Sequence, residues 1–460
     1  MEKTELLARL ESRIPLFETL PTVAYRQKRI MGTESEYGVA NRPEEDIPII
    51  TSSRLPAMLK NGGEIYEDRG HVEYASPETS NPVSAVAYYE AGKVVAWRNR
   101  YSPKLYCNNT DWYGNAFGAH ESYFTDAPRA EWPRLIPFLI ARTVLCGSGW
   151  FNHLGCFEIS QRAHSIFFAQ GSETTGSRPV LNLRQEPLAE VKGFDRLHLI
   201  CADGNMSEVS TFLRLGTMSL VLKMLEIGAL PEVPYNEALA EQDMRHLSCK
   251  TREWNLTGLT RAPRGALDLL ALYLERAQRI FAHQNEETDA LLIIWNDTLE
   301  KLARNPLSLW RRLDWVAKLY ILQIFAGEEG RATHEWLRSQ DMAYHSLNPA
   351  DGLYYHLAQS GEVERVVSDT LIVTAADEPP ADTRAYARGK IAQWLEEQGG
   401  AFALCANSWA HLTIVDASAR GYPRVQTVQH PKQYISERVS DPRETYGHLV
   451  GQIKKQLSQH

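Results

Sequence analysis

The sequence predicts an α+β fold in which helices pack against a mainly antiparallel sheet. Runs with strand-like alternation recur between residues 29 and 200 without the regular strand–helix–strand order of a parallel sheet. Residues 266–348 instead carry apolar residues at steps of three and four, which is typical of amphipathic helices. A polar, proline-containing stretch at residues 375–384 then marks a change in composition, and a small C-terminal α/β domain is expected beyond it.

The individual elements follow from the same patterns. Leu6, Leu7 and Leu10 recur at helical spacing, and Ile14-Pro15 ends that helix, so residues 1–28 are predicted to be a helical N-terminal extension. Further strands are predicted at residues 104–107, 157–162, 178–184, 196–200, 402–405 and 410–415, and further helices at 84–98, 132–144, 210–228, 267–281, 289–304, 307–325 and 386–398. We therefore expect a large domain over residues 29–375 and a small one over residues 380–460.

Length, composition and charge narrow the class of protein. A chain of 460 residues exceeds a single ordinary core, and 43% hydrophobic with 23% charged residues is typical of soluble globular proteins. The net charge is −8 and no long basic block occurs, which argues against a nucleic-acid surface. The charged N-terminus does not resemble a signal peptide, and no apolar run approaches the roughly 18 residues of a membrane span. We expect a cytoplasmic protein with neither nucleic acid nor membrane as a partner.

The six cysteines are spread along the chain. No two of them are closer than ten residues, so a Cys-x-x-Cys zinc or redox pair is absent from the sequence. Most have apolar neighbours, and we expect buried free thiols in a reducing compartment.

The acidic stretch at residues 61–78 carries the strongest functional signal. In an extended strand residues i and i+2 share a face, which places Tyr66 with Asp68 and His71 with Glu73. A second acidic alternation lies upstream, where Glu34 shares a face with residue 36. Crowded carboxylates repel one another unless they face solvent or share a cation, and hard oxygen ligands suit Mg²⁺ or Mn²⁺. The sequence alone leaves both a solvated strand face and a cation site open.

Asp68 stands apart because it lies inside this acidic stretch. A carboxylate held near others and near a bound cation can act as a general base. Two other interpretations stay open at this point: a further metal ligand, or a solvent-exposed residue before the turn at Gly70.

Several common sites are excluded by their motifs. The sequence has no Walker A phosphate loop, no Gly-x-Gly-x-x-Gly fingerprint and no Gly-x-Ser-x-Gly elbow. The His120-Glu121 pair lacks the second histidine of a zinc-protease helix. What remains is a set of polar clusters, which supply carboxylates for metal and arginines such as Arg184 for phosphate, at residues 108–121, 160–178, 182–198 and 203–208.

The order of these clusters resembles the Pup ligase and Pup deamidase–depupylase family, PafA and Dop. The matching patterns are Gly-x-Glu-x-Glu-Tyr-Gly (32–38), Asn-Gly-x-x-x-Tyr-x-Asp-x-x-His-x-Glu-Tyr (61–74), Asn-Asn-x-Asp (108–111), Gly-x-His-Glu (118–121), Ser-Gln-Arg (160–162), Asn-x-Arg-x-Glu-Pro (182–187) and Asn-Met-Ser-Glu (205–208). They run from about residue 29 to about residue 415.

The resemblance implies a glutamine-synthetase-like fold, with a curved, mainly antiparallel sheet and a small C-terminal α/β domain. It implies ATP and Mg²⁺ as cofactors and places residues 29–375 as the catalytic domain that binds them. In the ligase branch ATP phosphorylates the C-terminal glutamate of the small protein Pup, and a lysine of a target protein then attacks the acyl phosphate. The implied partners are a Pup-like modifier and lysine-bearing targets, with a functional link to the bacterial proteasome.

The resemblance also assigns site residues. Glu34, Tyr66 and Glu73 match metal-binding positions and Asp68 matches the catalytic aspartate, while Ser76 and Trp409 match contacts to ATP. One position departs from the family pattern, because an arginine that contacts ATP is replaced by glutamate at position 64.

The two branches are harder to separate. Only residues 39–60 lie between the first two matched strands, so the long insertion of the Dop branch is absent, which favours the ligase. The short spacing from Asp68 to His71, and residues 383–389, resemble Dop instead. We favour an ATP-dependent Pup–protein ligase. The alternatives are a deamidase or depupylase of the same modifier, a small-molecule carboxylate–amine ligase and a non-catalytic nucleotide-binding module.

Overall fold

A computed structural model describes residues 3–24, 27–40, 57–99, 104–111, 113–184, 193–329, 333–399, 402–408, 411–416, 424–429 and 442–457. Its strands are β1 Met31–Ala40, β2 Ala57–Met58, β3 Glu64–Asp68, β4 His71–Ala75, β5 Lys104–Tyr106, β6 Ala119–Thr125, β7 Trp150–Phe151, β8 Phe157–Glu158, β9 Ile166–Gly171, β10 Arg178–Asn182, β11 Asp195–Leu199, β12 Phe402–Ser408, β13 His411–Asp416 and β14 Arg424–Gln429.

The helices surround these strands and dominate the second half of the chain. They are α1 Lys3–Glu11, α2 Pro82–Arg98, α3 Ile136–Ala141, α4 Thr143–Cys146, α5 Glu208–Glu226, α6 Ala240–Ser248, α7 Ala266–Phe281, α8 Glu286–Arg304, α9 Asp314–Glu329, α10 His334–Tyr344, α11 Leu353–Gln359, α12 Asp369–Asp377, α13 Ala385–Glu397 and α14 Pro442–Leu457.

The central sheet has the strand order β11–β6–β1–β4–β3–β2, and β5 pairs with the far end of β1. The pairs within it are antiparallel. This arrangement confirms the predicted α+β class with a mainly antiparallel sheet.

The two faces of the sheet differ in polarity because alternate side chains of each strand point to opposite sides. In β1 the residues Met31, Ser35 and Tyr37 are buried, while Glu34 and Glu36 between them are partly open. Helices α2 and α5 pack under the buried face, and their starts are capped by Asn81 and Ser207. The sheet therefore presents one apolar face to the helices and one polar face to a cavity.

A second apolar core lies under the C-terminal strands. It joins Met58 of β2 to Ile391 and Leu395 of α13, Ile414 of β13 and Ile453 of α14. Strands β12, β13 and β14 form their own antiparallel sheet above these helices. Leu6 and Leu10 of α1, by contrast, are buried in the main core. The division into residues 1–28, 29–375 and 380–460 stays a prediction.

Three predicted elements are interrupted in the structure. Pro133 and Pro137 lack the backbone N–H that a helix interior needs, so residues 132–144 form a 3₁₀ turn followed by α3 and α4. The predicted helix 307–325 begins only at Asp314, because the preceding Arg312 is buried in ion pairs with Asp297 and Glu364. The predicted strand 157–162 stops at residue 158, since the next backbone N–H groups turn towards other partners.

The expectation of buried thiols is only partly correct. Cys107, Cys146 and Cys201 are buried, whereas Cys156 and Cys249 are exposed because they lie on loops at the ends of short elements. The cysteines whose side chains the structure describes are free thiols. None of the described helices combines the length and the apolar character that a membrane crossing requires.

Candidate active site

The polar face of the central sheet forms the floor of a cavity of about 1200 Å³. Five strands of the sheet contribute side chains to it, namely β1, β3, β4, β6 and β11. Residues 108–111, 114–117 and 174–178 form its walls, with Phe167 and Met342 also reaching it. The floor is rich in carboxylates, and the cavity is also lined by the arginines Arg69, Arg178, Arg184 and Arg196.

The registers of β1, β4 and β3 bring the acidic residues together. Glu36 lies opposite Glu73 on β4, and Glu73 lies opposite Tyr66 on β3. Glu34 and Asp68 lie further along the same cavity face. The alternation predicted from the sequence thus holds across three neighbouring strands, and it places the predicted metal ligands and Asp68 around one space.

Strands β6 and β11 add histidines on the other side of Glu34. His120 is paired with Glu34 in the strand register, and its Nδ1 lies 3.3 Å from Glu34 Oε2. Arg196 Nη2 donates to Glu34 Oε1 at 3.1 Å and lies 2.8 Å from His198 Nδ1. Glu34 is consequently bordered by an acidic side on β4 and a basic side on β11.

Two overlapping groups of side chains have the geometry of a cation site. One is Glu34 with His120 and His198, and the other is Glu36 with Glu73 and His120, each with its ligand atoms within 4.8 Å of one another. Carboxylate oxygens suit Mg²⁺ and Mn²⁺, whereas imidazole nitrogens suit transition-metal ions such as Fe²⁺ and Zn²⁺. The carboxylates of these groups therefore fit the cations implied by the sequence, and His120 is shared between two adjacent positions.

The electrostatics of the floor show why it needs positive charge. Burial, followed by the charges of Glu34 and Glu36, raises the pKa of Glu73 to about 9. Burial also acts against ionisation of Glu34, but Arg196 and the two neighbouring histidines outweigh it and hold the pKa of Glu34 well below its usual range. Glu34 is thus ionised with its charge compensated by Arg196, whereas Glu73 has no compensating cation among the described residues and keeps its proton at neutral pH.

Glu64, where the sequence departs from the family pattern, also faces this cavity. Burial raises the pKa of Glu64 to about 7, although the nearby Arg388 guanidinium opposes the rise. Burial, together with Glu73 and Glu34, similarly raises the pKa of Tyr66 far above its usual value. Tyr66 therefore faces its neighbours as a neutral phenol.

Asp68 ends β3 at the tip of a tight hairpin. It lines the cavity, and within the described residues its carboxylate makes no hydrogen bond or ion pair. A carboxylate in this position can accept a proton from a group that enters the cavity. A cation held by the nearby carboxylates, together with the arginines of the lining, would bind phosphate oxygens, so the arrangement suits phosphoryl transfer followed by acyl transfer.

The remaining predicted site residues lie in different places. Arg184 lines the cavity and is exposed. Ser76 is buried beside it, where its Oγ accepts from the Thr33 backbone N–H at 2.9 Å and donates to the Pro77 carbonyl at 3.1 Å. Trp409 lies outside the described residues. The structure thus brings Arg184 together with the acidic cluster and ties the Ser76 hydroxyl to the protein backbone.

Sequence reasoning placed Glu36 in the acidic alternation and His120, Arg196 and His198 in polar clusters, but gave none of the four a role in the site. A signal was present, because His120 shares a strand face with Ser122, and Arg196 shares one with His198. What the sequence could not supply was the pairing of β6 with β1 and β11, which are separated by about 70 to 90 residues from it.

Other polar clusters that the sequence singled out form a buried scaffold beside the cavity. The Asp203 carboxylate accepts from the backbone N–H groups of Ser148, Gln161 and Arg162 and from the Ser160 hydroxyl at 2.9 Å. This carboxylate takes the place of strand pairing after residue 158 and holds the turn at residues 160–162 in position.

The C-terminal unit is attached close to the floor. Glu78 follows the loop after β4, and its carboxylate accepts from Arg384 Nε at 2.8 Å and from the Arg388 guanidinium. Arg388 Nε also donates to the Gly62 carbonyl at 2.7 Å. Helix α13 is thereby fixed to both ends of the segment that contains β3 and β4.

Comparisons with known proteins agree with this geometry. The family model described as "Pup-ligase protein" matches residues 50–413. A depupylase from Acidothermus cellulolyticus is 37% identical in an alignment of length 362 that covers 72% of this chain and 71% of that protein. A Pup–protein ligase from Acidimicrobium ferrooxidans is 31% identical in an alignment of length 436 that covers 85% of this chain and 94% of that protein.

Solved structures give the same picture. The ligase PafA in its complex with the prokaryotic ubiquitin-like protein Pup superposes with a TM-score of 0.74 and 27% identity, covering 93% of this chain and 95% of that one. PafA in complex with ADP superposes with a TM-score of 0.71 and 28% identity, covering 87% of this chain and 91% of that one. A bifunctional glutathione synthetase from Pasteurella multocida, with a TM-score of 0.51 and 10% identity, shares the fold alone.

Proposed function

Because the chain belongs to the Pup-ligase protein family, we propose that it is an ATP-dependent ligase that joins a Pup-like protein modifier to lysine side chains. The bond is an isopeptide between the C-terminal carboxylate of the modifier and the lysine amine. The observation that carries the proposal is the match with Pup–protein ligases over nearly their whole length, in sequence and in structure.

The proposed cofactors are ATP and Mg²⁺. The ADP complex of a similar ligase supports the nucleotide. The two ligand groups around His120 support the cation, with Glu34, Glu36, Glu73 and His198 as the other side chains that would hold it. Tyr66 opposite Glu73 stays a predicted ligand. When bound, ATP supplies the phosphoryl group that turns the modifier carboxylate into an acyl phosphate, and Mg²⁺ offsets the charge of that transfer.

The residues of the chain have separate tasks in this reaction. Arg184 and Arg196 line the cavity and are suited to bind phosphate oxygens, since a guanidinium donates two parallel hydrogen bonds. Asp68 accepts the proton of the lysine amine as its nitrogen attacks the acyl carbon and phosphate leaves.

The partners follow from this reaction. The modifier is a small protein of the Pup type, and the second substrate is a lysine on a target protein. We extend the proposal to a cytoplasmic location and to a link with a bacterial proteasome, both of which rest on the family resemblance.

Removal of the modifier is the second candidate function. It is favoured by the 37% identity to a depupylase and by the short hairpin from Asp68 to His71. The chain covers 71% of that depupylase but 94% of a Pup–protein ligase, and this difference is the reason for preferring ligation.

One incubation separates the candidates. Purified protein is mixed with ATP, MgCl₂, a Pup-like protein ending in glutamate and a lysine-bearing target, and the products are analysed by gel and mass spectrometry. A heavier conjugate with an isopeptide at lysine supports ligation. Loss of a preformed conjugate, or deamidation of a modifier ending in glutamine, supports the hydrolase.

Two further outcomes would contradict both candidates. Consumption of ATP with a free amino acid and no protein modifier would identify a small-molecule ligase. Nucleotide binding without turnover of any of these substrates would identify a non-catalytic module.

A further inference from the structure

We propose that His71 is a positioning residue that fixes the orientation of Asp68 by anchoring the tip of the β3–β4 hairpin to Phe117. The inference rests on the proposed function, in which Asp68 accepts the proton of the attacking amine. His71 belongs to neither of the two groups of side chains that could bind a cation.

The hairpin makes Asp68 and His71 a structural pair. They are the last paired residues before the turn, in which Arg69 has φ of 50° and Gly70 has φ of 90°. Two central residues with positive φ form the tight turn that matches the twist of the flanking strands. Directly opposed residues of antiparallel strands share a face, and both side chains line the cavity. Fixing one of them therefore fixes the other.

The sheet does not support this tip on the β1 side. Within the described residues the pairing of β1 with β4 ends at Tyr37 and Val72, and β1 then leaves to pair with β5. The His71 side chain makes its contacts where the next backbone pair of β1 and β4 would lie. Its Nδ1 lies 3.1 Å from the Tyr37 carbonyl oxygen, and its ring stacks on Phe117 with centroids 4.3 Å apart and planes inclined by 25°.

Phe117 provides a rigid platform for this contact. Its side chain is buried, and its carbonyl accepts from Asn109 Nδ2 at 3.1 Å and from the Arg162 guanidinium. The backbone N–H of Arg162 is in turn bound by Asp203 at 3.1 Å. The buried scaffold beside the cavity is thus connected to Asp68 through Phe117 and His71, which gives these otherwise unexplained clusters a role in the site.

We expect variants that break this anchor to slow only the attack of the lysine amine on the acyl phosphate. Because a misplaced catalytic group can lower the rate about 100-fold, His71→Ala is expected to reduce kcat for conjugate formation by about 10- to 100-fold. The KM values for ATP and modifier, and the burst of ADP that reports acyl-phosphate formation, should stay within about twofold. Phe117→Leu, which keeps an apolar side chain but removes the stacked ring, should give the same split.

Rescue and a matched control separate positioning from a general loss of structure. His71→Phe keeps an aromatic ring over Phe117 without the bond to Tyr37, and should recover most of the lost kcat. His334→Ala removes another histidine that contacts an aromatic ring, Phe151 at 5.5 Å, away from the cavity lining, and should leave kcat unchanged.

Hydrogen exchange of the amides of residues 64–75 provides a readout that does not depend on activity. Faster exchange in His71→Ala and Phe117→Leu, but not in His334→Ala, supports the anchor. Unchanged exchange together with unchanged kcat in the first two variants overturns it, even if the wild type is an active ligase. A wild type that forms no conjugate contradicts the proposed function instead, and the exchange experiment then decides the inference by itself.

Discussion

Glu36 and Glu73 lie opposite each other on neighbouring antiparallel strands, and both side chains face the cavity. Like charges in this relationship destabilise a sheet unless a proton or a cation is held between them. Burial and the charges of Glu34 and Glu36 accordingly raise the pKa of Glu73 to about 9. In the absence of a cation, Glu73 therefore holds its proton across the physiological pH range.

Cation binding should depend on pH for this reason. Between the usual carboxyl pKa of 4.5 and about 9 the folded protein binds a proton that the unfolded chain does not, so the cation-free protein loses stability as the pH rises. Mg²⁺ or Mn²⁺ should restore it, by about 2.7 kcal/mol at 100 times the dissociation constant. Thermal unfolding at pH 6 and pH 8.5 should show a larger cation effect at the higher pH, and Glu73→Gln should reduce this difference. An equal effect at both pH values would contradict the assignment.

Replacement of Asp68, the proposed general base, should separate chemistry from binding. Asp68→Asn keeps the shape of the side chain but cannot accept a proton, so turnover should fall about 100- to 10,000-fold. The dissociation constant for ATP, measured by calorimetry, should change by less than about twofold. The control is Glu67→Gln, the preceding residue on the opposite face of β3. Full turnover by Asp68→Asn would be evidence for a non-catalytic module.

Gly118 should be required for cation binding because of its position between two ligands. A Cβ at this residue would clash with the His120 imidazole and lie 2.6 Å from Glu36 Oε1. Gly118→Ala should therefore weaken Mn²⁺ binding, measured by electron paramagnetic resonance, by about tenfold or more. Gly176 also lines the cavity but has no atom within 4 Å of its Cβ position, so Gly176→Ala is the matched control. Equal affinities for the two variants would argue against a cation at His120.

Glu78 forms ion pairs with Arg384 and Arg388, which we call the Glu78 clamp. This clamp should contribute stability that is lost in acid. Burial acts against its ionisation, but Arg388 and Arg384 outweigh it and lower the pKa of Glu78 to about 2. The contribution is therefore fully present above pH 4.5 and disappears as the pH falls towards 2. Glu78→Gln leaves two buried guanidinium groups without their carboxylate, which should cost about 3–5 kcal/mol in denaturant unfolding.

The control for this clamp is Glu232→Gln. Glu232 pairs with Arg134 at 3.2 Å but is 90% exposed, and exposed pairs contribute about 1 kcal/mol or less. A similar small effect for Glu78→Gln would show that α13 is held mainly by apolar contacts.

Local patterns in the sequence predicted the acidic half of the site well. Alternation placed Tyr66 with Asp68 and His71 with Glu73, and the two-residue turn between β3 and β4 brings both pairs to one face of the sheet. His120 and His198 were missed because their position depends on strand pairing between distant segments, which no local pattern specifies. The sequence therefore indicated which carboxylates share the cavity floor, but not that His120 and His198 lie beside them.

Two helix boundaries predicted from the sequence were wrong, each for a different physical reason. Pro133 and Pro137 were visible in the sequence, and their missing N–H groups explain the broken helix at residues 132–144. The late start of α9 depends instead on buried partners, since Asp314 accepts from Ser207 N at 2.9 Å and from the Tyr344 hydroxyl at 2.9 Å. Tertiary contacts of this kind override the helical periodicity.

The second apolar core has a consequence for biosynthesis. Met58 of β2 packs with Ile391 and Leu395, so two segments separated by more than 300 residues complete one core. During translation the early strand is made long before its partners emerge, and its apolar side stays uncovered until the last part of the chain arrives. A nascent or truncated chain ending near residue 380 would thus leave Met58, at the edge of the central sheet, without the apolar partners that α13, β13 and α14 supply.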